Sequence, residues 1–160
     1  DGTTNQDAYV RTLIAFEGRC DVQGVYIGRL WNKADWTVNP VPKVVDGVEQ
    51  PTDVDGLVNA REVMINGEVH TVYEVIYKGG ENGVLPADSI TNPSLKQFFL
   101  SPDANNEVVE LFGSEYTIYA VTQATQVSGF DNAEQALDTA FGDPMTVSDQ
   151  VMYDWFKDVA

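Results

Sequence analysis

The segment 61–77, REVMINGEVHTVYEVIY, constrains the fold more than any other part of the chain. It places Asn66-Gly67 between two runs of residues that alternate along the chain. Both residues tolerate the positive φ that a type I′ turn requires. The segment therefore predicts a β-hairpin that turns at Asn66-Gly67.

The return strand of this hairpin is apolar on both faces. Tyr73 and Val75 share one face, while His70 and Val72 share the other. Strands of this kind are covered on both sides, by helices or by other subunits. Because the predicted helices are few and short, we expect some apolar surface to be buried between chains. The candidate interface residues are Tyr73, Val75, Tyr119, Val121, Trp155 and Phe156.

Two further strands are predicted in the first part of the chain. Residues 8–16 alternate with period two, which is typical of a strand. A second strand over 24–31 carries two glycines, which indicate a bulge or a close backbone approach.

A second hairpin is predicted over 106–127, with its turn at Gly113-Ser114. Its LFGSEYTIYAV (111–121) echoes INGEVHTVYEV (65–75), 46 residues earlier, with Gly, Thr, Tyr and Val in step. In each copy a short helix follows the hairpin, which favours a weak internal duplication. The alternative is that both strands obey the same composition rules, since Thr, Tyr and Val all favour strands.

Three helices are predicted in the second half of the chain. One starts at the cap Asn92 and runs through 92–100, with Pro93 in its first turn. The next runs through 131–142, with Asp131 as cap, Glu134 in capping-box position and Gly142 past the end. The last is an amphipathic helix over 147–159, whose apolar residues recur every four positions.

These elements predict a single α+β domain over 1–160 that is rich in β structure. We expect an antiparallel sheet, or a sandwich or barrel built from hairpins, with two or three short helices in the C-terminal half. Residues 1–7 read as a loose terminus, and 32–56 as a long loop or arm bearing Pro and Gly.

The net charge of −16 restricts the partners, since only nine Lys and Arg face 25 Asp and Glu. A field of that sign repels nucleic-acid phosphates and anionic lipid surfaces. No run of apolar residues is long enough to span a bilayer. The remaining interpretations are solubility or adaptation to salt, calcium binding, and mimicry of a nucleic acid. Mimicry is weakened because the acids are spread along the whole chain.

Two acidic loops are candidate calcium sites. TDVDGLVN offers Asp53 and Asp55, and SPDANNE offers Asp103, Asn105 and Glu107. Alternating oxygen donors can converge on a hard cation such as Ca²⁺, although neither loop completes the EF-hand pattern. The alternative is that these residues form ordinary turns. No other cofactor is predicted.

Motifs for catalysis are absent from the sequence. It contains no phosphate-binding Gly-rich loop, no G-x-S-x-G, no H-E-x-x-H and no C-x-x-C. His70 is the only histidine and Cys20 the only cysteine, so a multi-histidine metal site and an intramolecular disulfide are excluded. We interpret His70 as a cross-strand partner in the sheet.

Three classes of function follow from these observations. The first is a non-enzymatic, self-associating structural protein, such as a phage capsid or tail component or a subunit of a surface filament. A chain that starts at Asp1 without Met also fits processing or trimming. A virion or cell-surface location is therefore favoured. The alternatives are an acidic inhibitor or nucleic-acid mimic, and a small enzyme that uses carboxylates.

Overall fold

The computed structural model describes residues 5–18, 27–38, 44–45, 48–49, 60–102, 104–113 and 115–160. The strands are β1 (Ala8–Glu17), β2 (Ile27–Trp31), β3 (Trp36–Val38), β4 (Val44–Val45), β5 (Val48–Glu49), β6 (Ala60–Ile65), β7 (Glu68–Tyr77), β8 (Leu95–Leu100) and β9 (Ile118–Gln126). The helices are α1 (Asn106–Phe112), α2 (Ala133–Phe141) and α3 (Asp149–Phe156). The chain is thus a β-rich α+β protein with its helices in the C-terminal half, as the sequence predicts.

A five-stranded antiparallel sheet forms the centre of the molecule. The ten-residue strand β1 lies in its middle, paired with β7 on one side and with β9 on the other. Beyond β7, two strands share one edge end to end. β6 pairs with the first part of β7, and β3 pairs with its end, where Trp36 lies opposite Tyr77. The other edge of the sheet is β9.

The hairpin β6–β7 turns where the sequence predicts it. Asn66 has a φ of 52° and Gly67 a φ of 82°, which are the two positive values that a type I′ turn needs. The register runs without interruption from Ile65 opposite Glu68 to Ala60 opposite Tyr73. The alternation of the sequence is therefore preserved in the faces of β7.

Both faces of the central sheet are covered within the chain along β1 and β7. On one face, Phe16 and Tyr73 pack with Trp31 of β2 and Trp36 of β3. We call this the groove face, after the groove described below, and Leu95 of β8 also packs against it. β2 and β8 pair with each other in a separate two-stranded ribbon. The opposite face, which we call the helix face, carries α2 and α3.

The helix face is packed by residues from both helices. Met152 and Phe156 of α3 are fully buried against Leu13 and Val72. Leu137 of α2 lies in a second cluster on the same face. Burial of such side chains contributes about 1.5–3 kcal/mol each, which is the main reason that short helices remain docked here.

Helices α2 and α3 lie where they are predicted, with shifted ends. The cap of α2 is Asn132, which accepts a hydrogen bond from the Gln135 amide, so the helix begins one residue later than a cap at Asp131 implies. Gly142 terminates α2 as expected. Ser148 caps α3, which ends at Phe156 and is shorter than the predicted 147–159.

Two predicted elements are wrong. Residues 106–112 form α1 rather than the first strand of a hairpin, because Asn105 caps this turn and Gly113 terminates it. Residues 95–100 form the strand β8 rather than a helix, because they pair with β2. The second echo stretch therefore runs from helix to strand, so the predicted order of hairpin then helix is not repeated. That removes the shared order of elements as support for an internal duplication.

The interval 32–56, predicted as a loop or arm, contains regular structure. β3 joins the sheet through Thr37 opposite Ile76, and the indole nitrogen of Trp36 donates to the Asn92 carbonyl at 2.9 Å. β4 and β5 pair with each other. The rest of the interval beyond Val38 lies outside the described residues, as do residues 1–4 of the predicted loose terminus and 24–26 of the predicted second strand.

No helix in the part of the chain that the structure describes is long and apolar enough to cross a membrane.

Candidate functional site: an open sheet edge

β9 is the last strand of the central sheet. Its nine residues pair with β1 from Ile118 opposite Phe16 to Gln126 opposite Ala8, without a register shift. Among the described residues, no strand pairs with the outer side of β9. An edge of this kind presents a row of backbone N–H and C=O groups to which another strand can add.

The composition of β9 leaves this edge unprotected. Its sequence IYAVTQATQ contains neither a charged residue nor a proline, in a chain of net charge −16. Natural edge strands are usually kept from pairing by charges, proline, bulges or short length. By contrast, β6 on the opposite edge carries Arg61 and Glu62, and β3 is only three residues long.

The two faces of β9 differ in exposure. Gln123 points to the helix face and is buried, whereas Ala120, Thr122 and Ala124 lie on the groove face and are exposed. Thr122 lies opposite Thr12, and their hydroxyl oxygens are 3.3 Å apart. Small side chains therefore occupy the middle of the groove face of this strand.

A groove of about 370 Å³ lies beside these small residues. One wall is formed by Ile118, Ala120 and Thr122 of β9, and the other by Trp36 and the segment 91–95. None of the described residues that line it is charged. Because of this groove, the side chains on the groove face of β9 are accessible beside the unpaired edge of the strand.

A buried arginine fixes β9 from the helix side. Arg11 of β1 is fully buried, and its Nε donates to Gln123 Oε1 at 2.7 Å. Its Nη1 donates to Glu74 Oε2 at 3.0 Å and to Asp138 Oδ1 at 2.8 Å. Its Nη2 donates to the Gly142 carbonyl at 2.8 Å, at the C-terminal end of α2. One guanidinium thus joins β1, β7, β9 and α2.

Two aromatic rings complete the surroundings of this guanidinium. Its central carbon lies 5.9 Å from the ring centroid of Phe141 and 5.5 Å from that of Trp155. Both distances are within the range of a cation–π contact. Trp155 of α3 is therefore engaged inside the molecule.

The carboxylates around Arg11 outnumber it. Burial raises the pKa of Glu74 from its ordinary 4.5 to about 7; Arg11 opposes this rise, and the charges of Asp138, Asp143 and Glu134 add to it. Burial also raises the pKa of Asp138, although Arg11 lowers it in part. Burial is again the main cause that raises the pKa of Glu134. Glu74 is therefore partly protonated near pH 7.

This cluster lies in the packing between helix and sheet. The side chain of Glu74 is 7% exposed and is ion-paired with Arg11. A carboxyl with such a pKa suits proton transfer when a substrate can reach it. Here Glu74 is bound by Arg11, which in turn holds Gln123 of β9 and Asp138 of α2, so we assign Glu74 a positioning role through Arg11.

The residues predicted to bind calcium are only partly described. Asp53, Asp55 and Asp103 lie outside the described residues. The side chain of Asn105 accepts a hydrogen bond from the Val108 amide at 3.0 Å and caps α1, while Glu107 is exposed in the first turn. Within the described ranges, no three His, Cys, Asp or Glu side chains are grouped to hold a metal ion. Calcium binding by these loops stays a prediction.

The predicted interface residues fall into two groups. Tyr73, Val75 and Phe156 are buried inside the chain. Tyr119, Val121 and Trp155 are partly buried. Tyr119 and Val121 belong to β9, so two of the predicted residues lie on the open edge strand, although their side chains point to the helix face.

Sequence reasoning missed the residues that define this site. Arg11 and Glu74 each interrupt an apolar strand, which is a signal of a buried pair. Ala120, Thr122 and Ala124 carry no signal by themselves. They indicate a site only once β9 is known to lie at the edge of the sheet.

The β2–β8 ribbon is a second exposed apolar surface. Leu30, Phe98, Phe99 and Leu100 are between 39% and 51% exposed. Apolar residues grouped in this way are typical of contact surfaces.

Comparison of the chain with protein-family models, with curated proteins and with solved structures found no match.

Proposed function

We propose that this protein is a non-enzymatic structural subunit that associates with copies of itself in a larger assembly, such as a phage particle or a surface filament. The observation that carries the proposal is the unprotected edge of β9. Nine consecutive uncharged residues, paired on one side alone among the described strands, form a template for another strand.

Electrostatics support the same role. Two copies of net charge −16 repel each other at long range. Close approach is least unfavourable where the surface has no charge, and β9 and its groove are such a surface. Association should therefore strengthen with salt, because salt screens the long-range repulsion.

The exposed ribbon supplies a second contact surface. A single self-complementary surface closes a dimer, whereas a filament or shell needs a further, different contact. Phe98 and Phe99 are 50% and 44% exposed and offer apolar area for that contact.

The mass of the protein in solution tests this proposal. We expect light scattering to show a mass that rises with protein concentration, and more steeply at physiological than at low ionic strength. Replacing Phe98 and Phe99 together with serine should remove species larger than a dimer. The matched control is Ile90→Ser, which removes an apolar side chain that is 65% exposed outside the ribbon. A single-chain mass at every concentration and salt level would overturn the proposal. If that monomer bound a basic protein in competition with DNA, mimicry of a nucleic acid would replace it.

A further inference from the structure

We infer that the occupant of the β9 edge is β9 of a second copy, paired antiparallel about a two-fold axis at Thr122. This inference rests on the proposed self-association and names its mode. The result is one continuous sheet across two copies, in which each copy contributes the same strand.

The register follows from the faces of β9. Directly opposite residues of an antiparallel pair lie on the same face of the sheet. Full overlap of Ile118–Gln126 with itself places Thr122 opposite Thr122 of the second copy. Ala120 then lies opposite Ala124 of the second copy, and Val121 lies opposite its Gln123. Any other register that keeps residues of the same face opposite each other leaves residues at the strand ends unpaired.

The paired residues are compatible in charge and size. No charged side chain faces another in this register, because β9 has none. Ala120, Thr122 and Ala124 are small and exposed, so the groove face offers little steric resistance to a second strand. On the helix face, Arg11 holds Gln123 inward by its hydrogen bond.

A second copy fits this edge better than a basic partner does. A basic protein would gain from the field of −16 over the whole surface, with no need for an uncharged strand. The other exposed strands would bring charges into a self-pair, through Arg61 and Glu62 in β6 and through Lys96 in β8. β9 is thus the described strand best suited to pair with itself.

Disulfide cross-linking tests the register. In a Cys20→Ser background, Thr122→Cys places two cysteines opposite each other, at about 4.5–5.5 Å between Cα atoms. That spacing suits a disulfide, so mild oxidation should give a covalent dimer. Ala120→Cys alone should not link, because its own counterpart is offset by about 13 Å along the strand. A mixture of Ala120→Cys and Ala124→Cys copies should link again.

A charge exchange provides the second test without cysteine. In the variant A120K/A124K, lysines oppose lysines across the axis, and we expect association to weaken by about tenfold or more. In the matched variant A120K/A124E, each lysine opposes a glutamate, and association should be retained. The first variant is less acidic overall than the wild type, so a general charge effect predicts the opposite result.

The outcomes separate this inference from the proposed function. A wild type that stays monomeric contradicts both. A wild type that associates, while the Thr122→Cys variant does not link and the two charge variants behave alike, overturns the β9 pairing and leaves self-association standing. Both the self-association and the β9 pairing are supported if the Thr122→Cys variant links and if A120K/A124K, but not A120K/A124E, loses association.

Discussion

The Nε of Arg11 donates a hydrogen bond of 2.7 Å to Oε1 of Gln123, and this contact joins the buried cluster to the open edge strand. Because Gln123 is held toward the helices, its neighbours Thr122 and Ala124 point to the exposed face. The same guanidinium holds Asp138 of α2, so the position of the helix and that of the edge strand depend on one side chain.

Replacing Arg11 with methionine should lower the free energy of unfolding by about 3–5 kcal/mol at pH 8, since removing one partner of a buried ion pair leaves the other unpaired. Glu74 and Gln123 would both lose their contacts with the guanidinium. The loss should be smaller at pH 5, where Glu74 can take up a proton. Urea denaturation at both pH values measures it. A loss below about 1 kcal/mol at pH 8 would contradict the role given to Arg11.

The stability of the protein should fall as the pH rises from about 4.5 to about 7. Burial raises the pKa of Glu74 from 4.5 to about 7, so in this window the folded state binds a proton that the unfolded state has released. The stabilisation is therefore full below pH 4.5 and is lost by pH 7, with an upper size on the order of 3 kcal/mol. The raised pKa values of Asp138 and Glu134 act in the same direction.

Glu74→Gln is the matched variant for this pH dependence. It keeps the shape of the side chain and cannot ionise, so its stability should change less between pH 4.5 and 7 than that of the wild type. Urea denaturation across this range provides the comparison. If the free energy of unfolding changed with pH in the same way for the two proteins, Glu74 would not contribute to the pH dependence.

Asn105→Ala should lower the free energy of unfolding by about 1 kcal/mol, because the side chain caps α1 by accepting from the Val108 amide. Asn105→Asp is the control, since aspartate caps a helix as well as asparagine does. Thermal unfolding with a chelator present measures the cap alone. Equal losses in both variants would mean that the residue has another role.

The parts of the fold that follow from local sequence could be predicted. The turn at Asn66-Gly67 needs only two residues that accept positive φ. The end of α2 at Gly142 likewise depends on neighbouring residues alone. The alternation in 8–16 indicated β1 for the same reason.

Two elements were predicted wrongly, for different reasons. In 106–112 the valines favour a strand, but the local caps Asn105 and Gly113 enclose a short helix whose Val108 is buried. For 95–100, Asn92 and Pro93 resemble a helix start, while pairing with β2 makes a strand. Tertiary pairing outweighs local preference in such short segments.

The candidate site itself depends on sheet order. Arg11 contacts residues 63, 112 and 127 positions away in the chain, so its partners cannot be read from its neighbours. The open edge of β9 appears only when the order of strands is known. Sequence alone indicated that strands of the sheet are apolar on both faces and must be packed against other structure. The faces of β1 and β7 are packed against elements of the same chain.

Hydrogen exchange of the β9 amides, measured in dilute and in concentrated protein, tests most directly whether this edge is where copies meet. Alternate amides between Ile118 and Gln126 bond to β1 and serve as an internal reference, because they are protected at any concentration. The remaining amides of β9 face outward and should become protected as the concentration rises. Outward amides that exchange equally fast at all concentrations, while the mass of the particle increases, would contradict pairing through β9.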